Sequence, residues 1–83
     1  MFYVYVLENG PERYIGRTNN LRRRVEEHNA GKNFSTKSPT DWKLIYFEGH
    51  LNFDDAKRRE TYFKTSVGRR SLNRMLSSYY AKV

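Results

Sequence analysis

Phe53, Ala56, Glu60, Phe63 and Val67 recur at spacings of three and four, which puts all five on one face of a helix and makes that face pack against a core. Four of them are apolar. The carboxylate in the remaining place lies at the edge of the core or inside it. There, desolvation costs on the order of several kcal/mol unless cations or hydrogen-bond donors compensate. The stripe itself leaves two readings open. Glu60 either swings out to pair with one of the 16 Lys and Arg residues, or it is held in place for function.

The chain has 83 residues, enough for one domain, 1–83, with a modest core and no separate recognition module. Any site must be made by the core's own elements. With 16 basic and 9 acidic residues the formal charge is +7, which points to a polyanionic partner. Nucleic acid fits better than membrane, because the basic helices lack a wide Leu/Trp face opposite a uniformly cationic one. No cysteine is present, which rules out a disulfide framework, a thiolate metal site and a Cys nucleophile. Two histidines are too few for an ordinary structural zinc site. The apolar run 2–7 is too short for a signal peptide or a membrane span, so a cytoplasmic location is expected. No obligate protein partner is evident.

Residues 2–7 are aromatic and β-branched and read as a strand, with Tyr3 and Tyr5 on one face and Phe2, Val4 and Val6 on the other. A turn over 8–12, built around Asn9, Gly10 and Pro11, leads to a second strand over 13–17, so Tyr5 and Tyr14 fall on paired strands. Asn19 or Asn20 caps a helix running to about Asn29, with Leu21, Val25 and His28 facing inward and Gly31 as its stop. A polar loop over 32–41 precedes a third strand at 42–47. Asn52, with Asp55 as the acid of a loose capping box, starts the helix that carries Glu60, and Gly68 marks its expected end. Leu72, Met75, Leu76 and Tyr79 outline a last short helix. The expected fold is α+β, in the order β-β-α-β-α-α, with helices flanking a small, mostly antiparallel three-stranded sheet.

Hydrolysing a phosphodiester needs an activated water, positive charge on the developing phosphorane and relief for the leaving oxygen. No cluster of acids of the kind two metal ions require is apparent. Glu60 is the one carboxylate set in an apolar stripe, so a single hard cation held by one protein ligand, waters and phosphate is the plausible scheme. Arg24, one turn before His28, offers a planar fork suited to bidentate phosphate contact. Taken singly, each of these residues has a plain structural role open to it: packing for the tyrosines, a satisfied core position for His28, a solvated face for Arg22, Arg23 and Arg24.

Tyr3, Val4 and Tyr5, then Tyr14, Ile15 and Gly16, then Arg24 and His28 on the next helix and Glu60 on the one after it resemble the GIY-YIG nuclease superfamily, in particular its small stand-alone bacterial members. The likeness covers nearly the whole chain. It implies a DNA endonuclease dependent on Mg²⁺ or Mn²⁺, with structure-specific DNA repair or processing as its setting, and leaves the substrate open, because members act on duplex sites, flaps, crossovers or damaged DNA, usually through added domains. It also implies roles: Tyr5 helps activate the attacking water, Tyr14 positions water or phosphate, Arg24 stabilises the transition-state phosphate, His28 relays a proton and Glu60 binds the metal. Two positions depart from the pattern. Tyr3 stands where the family's opening motif has its first glycine, and Asn73 is the one candidate for the late asparagine of many members.

Arg17, Arg22, Arg23, Lys32, Lys37 and Lys64 are the expected backbone-binding cations. The rival reading is a nucleic-acid-binding module that keeps the fold and the basic surface with weak or no catalysis. The full set Tyr5, Tyr14, Arg24, His28 and Glu60 favours the enzyme, since an acid facing phosphate only weakens a pure binder.

Overall fold

The computed structural model describes residues 1–31 and 41–81. Strands β1 (Phe2–Asn9), β2 (Glu12–Thr18) and β3 (Lys43–His50) form one antiparallel sheet in the order β2-β1-β3. Helix α1 (Leu21–Asn29) follows β2, while α2 (Phe53–Phe63), α3 (Ser66–Met75) and a single turn, α4 (Ser77–Tyr80), follow β3. The order β-β-α-β-α-α is as expected, with α4 added at the end.

Because β1 is the central strand and both its faces are covered, Val4, Tyr5, Val6 and Leu7 are all buried in an unbroken run. Val4 and Val6 join Ile15 of β2 on one face, against Ala56 and Phe63 of α2 and Leu72 of α3. Tyr5 and Leu7 join Trp42 on the other, with Tyr14 and with Leu21 and Val25 of α1. Two small cores thus share one sheet. Burial of large aromatic and branched side chains, at roughly 25 cal/mol per Å² of apolar surface, supplies most of the cohesion.

Local chemistry sets the helix starts. The Asn20 side chain accepts from Arg23 N at 3.1 Å and opens α1, and Asn29 near its end clasps Trp42 by two hydrogen bonds, bringing the start of β3 back to α1. Asn52 caps α2, but through Asp54 N at 2.8 Å. Asp55 pairs instead with Arg58.

Several boundaries differ from the sequence reading, among them the last helix, which is two, α3 and α4, broken at Leu76. The hairpin turn shrinks to Gly10 and Pro11, because β1 and β2 pair out to Asn9 and Glu12. Strand β3 runs on to His50, paired with Phe2. The helix bearing Glu60 ends at Phe63 rather than near Gly68: Thr65 donates to Tyr62 O at 2.6 Å and accepts from Gly68 N at 3.0 Å, ending one helix and capping the next. Val67 therefore leaves the stripe and is exposed. Gly68 is a contact point inside α3, where a Cβ would collide with the Tyr62 carbonyl. Any side chain there forces α2 and α3 apart. Among the described residues no helix is long and apolar enough to cross a membrane. The expected polar loop, with Lys32 and Lys37, lies outside the described residues.

Candidate active site

Strand register decides which of the expected site residues meet. Tyr5 sits opposite Gly16, and Tyr14 opposite Leu7, so the two tyrosines are diagonal neighbours with ring centroids 6.2 Å apart. His28, fully buried, reaches both from α1: its Nε2 lies 2.9 Å from the Tyr5 hydroxyl, and its ring centroid 4.6 Å from that of Tyr14. Gly16 completes the arrangement. A Cβ at this position would stand 2.6 Å from the Tyr5 oxygen and 2.9 Å from Tyr14 Cε1, so the two tyrosines can close onto β2 here only because residue 16 has no side chain.

Electrostatics assign protonation states. Burial, with a smaller contribution from Tyr14, pushes the Tyr5 phenol far above its ordinary value, and the positive charge of the nearby Arg24 only partly offsets this. Tyr5 is thus a neutral phenol across the physiological range. Burial, and next the Arg24 charge, lower the pKa of His28, so its imidazole is neutral near pH 7. A neutral imidazole facing a phenolic O–H can accept that proton, and this is the basic chemistry of the cluster. Arg24 is held by Glu27, Nη1 to Oε1 at 3.1 Å. Arg23 approaches the same carboxylate only to 3.8 Å, and Arg22 is exposed.

Glu60 belongs to a second cluster, at the α2 side of the edge strand β2. Its Oε1 accepts from Arg17 at 2.5 Å and its Oε2 from Lys64 at 2.8 Å. The carboxylate is 13 % exposed. Desolvation pushes its pKa up, but the two donors more than cancel this and hold it below the ordinary carboxylate value. Its coupling to Tyr5 is electrostatic, raising the Tyr5 pKa a little further. The misplaced acid of the stripe is therefore partnered, and Arg17 and Lys64, expected to contact phosphate, are engaged on it. A second shielded carboxylate, Glu48, ties β3 to α2 through Tyr46, His50 and Arg59.

Residues 1–73 match a family described as the GIY-YIG catalytic domain. The chain belongs to the GIY-YIG family. Among its relatives is a UPF0213 protein of Clostridium perfringens, 42 % identical over 66 residues that make up 77 % of this chain and 71 % of that one. A UPF0213 protein of Streptococcus pneumoniae is 41 % identical over 75 % of this chain and 65 % of its own length. One of Pediococcus pentosaceus is 45 % identical over 76 % and 68 %. No solved structure matches.

Within the GIY-YIG domain, the structure brings Tyr5, Tyr14, Arg24 and His28 together and places Glu60 in the adjoining cluster. Arg13 and Arg69 escaped the sequence reading. They flank a groove of about 720 Å³ along the outer edge of β2, into which Tyr14, Lys64 and Asn73 also face. Nothing in their local spacing signals this, because β2 and α3 meet only in the folded chain. Asn73, the candidate for the late asparagine, lies in that groove and accepts from Arg13 at 2.6 Å.

Proposed function

We propose that this GIY-YIG domain is a divalent-metal-dependent endonuclease that hydrolyses DNA phosphodiester bonds. The observation that carries this reading is the 2.9 Å contact between the Tyr5 hydroxyl and His28 Nε2 beside Arg24. As a water attacks phosphorus, its proton passes to the Tyr5 oxygen while the Tyr5 proton passes to the neutral His28 nitrogen. Tyr5 alone is too weakly acidic to start as a phenolate, and the imidazole removes that barrier. Tyr14 orients the water or phosphate, and Arg24 supplies charge to the phosphorane through a fork already fixed by Glu27.

Glu60 is the carboxylate that would hold the metal. No group of three or more His, Asp or Glu side chains that could hold an ion occurs among the described residues. The set fits one hard divalent ion that takes a single carboxylate and completes its shell with water and substrate oxygens, as Mg²⁺ does and as Mn²⁺ accepts. Bound there, the ion would supply Lewis-acid stabilisation to phosphate oxygens. Arg17 and Lys64 keep Glu60 ionised, and incoming phosphates compete for both cations.

One observation favours the rival, a binding module of weak activity: Tyr5 is completely buried and both Glu60 oxygens are already engaged. The test is incubation of pure protein with Mg²⁺ or Mn²⁺ and labelled duplex, single-stranded, flap and four-way DNA. Discrete products that vanish with a chelator are expected, with flaps and junctions best if the role is structure-specific repair. Binding without product on every substrate would leave the binding module standing.

A further inference from the structure

A groove of about 720 Å³ runs along the outer edge of β2 and opens beside Tyr14 and Lys64. Its chemistry is that of an anion receptor. Arg13 donates through Nη2 to Asn73 Oδ1 at 2.6 Å and to the Tyr80 hydroxyl at 2.8 Å, and its guanidinium lies 5.4 Å from the Tyr80 ring centroid. Both acceptors are neutral, and Glu8, opposite Arg13 in the sheet register, is reached through the shared Tyr80 hydroxyl, so the fork is fixed in place without a direct ion pair among the described residues. Arg69, exposed on α3, makes no side-chain hydrogen bond or ion pair among the described residues. Asn73 uses its oxygen on Arg13, which leaves its Nδ2 protons to donate. The one acid of the lining, Glu8, accepts from the Tyr79 and Tyr80 hydroxyls at 2.6 and 2.7 Å, which offset part of its charge.

We propose that this groove is a second phosphate subsite, in which Arg13, Arg69 and the Asn73 amide hold a backbone phosphate of the nucleic-acid strand next to the phosphate at Tyr14. The proposal rests on the endonuclease reading. Tyr14 borders both the groove and the Tyr5–His28 cluster, so a strand held there is in register with the reacting centre. A single protein-bound phosphate would leave the strand free to pivot about it. Two phosphates fix its direction, which is what positioning for in-line attack demands.

The test compares Arg69→Glu with Arg70→Glu, which change net charge equally on adjacent exposed positions of α3, of which only Arg69 lines the groove. Oligonucleotide affinity is measured across a salt series. Arg69→Glu is expected to weaken binding by about tenfold and to reduce the log-log salt slope by about 0.7–0.9, the loss of one phosphate contact. Arg70→Glu should change affinity less than about threefold, through the long-range field alone. Equal losses for the two variants would overturn the subsite and leave only net charge. A parallel titration with inorganic phosphate at constant ionic strength distinguishes a backbone site from a site for free phosphate. Saturable phosphate binding lost in Arg69→Glu, with oligonucleotide affinity intact, would also overturn it. If the wild type binds no oligonucleotide, the endonuclease reading falls and the subsite falls with it. Oligonucleotide binding that is indifferent to Arg69 removes the subsite alone.

Discussion

Arg24→Ala is expected to lower the single-turnover cleavage rate by about two to three decades, or about 3–4 kcal/mol of transition-state stabilisation, while oligonucleotide affinity falls less than about threefold. The asymmetry follows from position. Arg24 is half-buried beside the Tyr5 hydroxyl and anchored by Glu27, so its charge is aimed at one place. Arg22 and Arg23 are exposed on the same helix, so their charges are not aimed at the Tyr5 cluster. Arg24→Lys should rescue poorly, since an ammonium cannot keep the Glu27 contact and a bidentate phosphate contact together. Rates and affinities for Arg24→Ala, Arg24→Lys and Arg22→Ala decide the point, and an Arg22→Ala rate as low as that of Arg24→Ala would remove the assignment.

Glu60→Gln should have two effects, one on chemistry and one on stability. Cleavage in Mg²⁺ is expected to fall by about two decades or more, because an amide is a poor ligand for a hard cation. Stability at neutral pH should also drop, by about 1–2 kcal/mol, since the variant leaves the Arg17 and Lys64 cations facing an amide. The figure is kept small because Lys64 is half exposed and water screens its pair with Glu60. The pH dependence has a definite sign. Glu60 titrates below its ordinary value of 4.5 in the fold, so the folded state binds fewer protons than the unfolded one in that range. Its contribution is complete above about pH 5 and is lost as pH falls through the depressed pKa. Denaturant midpoints of wild type and Glu60→Gln should therefore differ at neutral pH and converge in acid. A Glu60→Gln protein as stable as wild type would show the carboxylate to be unpaired, and clear destabilisation with cleavage intact would reject the metal-ligand role.

Much of the fold was legible because its elements are signalled locally. The β-branched run of β1, the Asn20 and Asn52 caps and the 3.6-residue period of α2 depend on neighbours in sequence. The break between α2 and α3 was harder, because Phe63 and Val67 keep the spacing of four across it, and only the double hydrogen bond of the Thr65 hydroxyl shows that the chain turns. Half of the Glu60 pairing could have been read, since Lys64 follows it by four residues, the favourable direction for such a pair on a helix. The other half could not. Arg17 reaches Glu60 only through the register that sets it opposite Val4 on an edge strand. The same holds for the groove, whose Arg13 and Arg69 come from opposite ends of the chain.

The central claim is that a buried phenol and a neutral imidazole carry the proton from the attacking water. Its most direct test is the pH dependence of single-turnover cleavage at saturating Mg²⁺, for wild type and His28→Gln. Since burial and Arg24 lower the His28 pKa from its ordinary 6.5, the wild-type rate should rise with pH to a midpoint below that value. It should then stay level from about pH 7 to about pH 9, where Tyr5 remains protonated. His28→Gln should be slow and should lose the acid limb. A wild-type rate that instead climbs about tenfold per pH unit through pH 9, with His28→Gln following the same line, would mean that hydroxide or a phenolate does the work and that the Tyr5–His28 pair only packs the core.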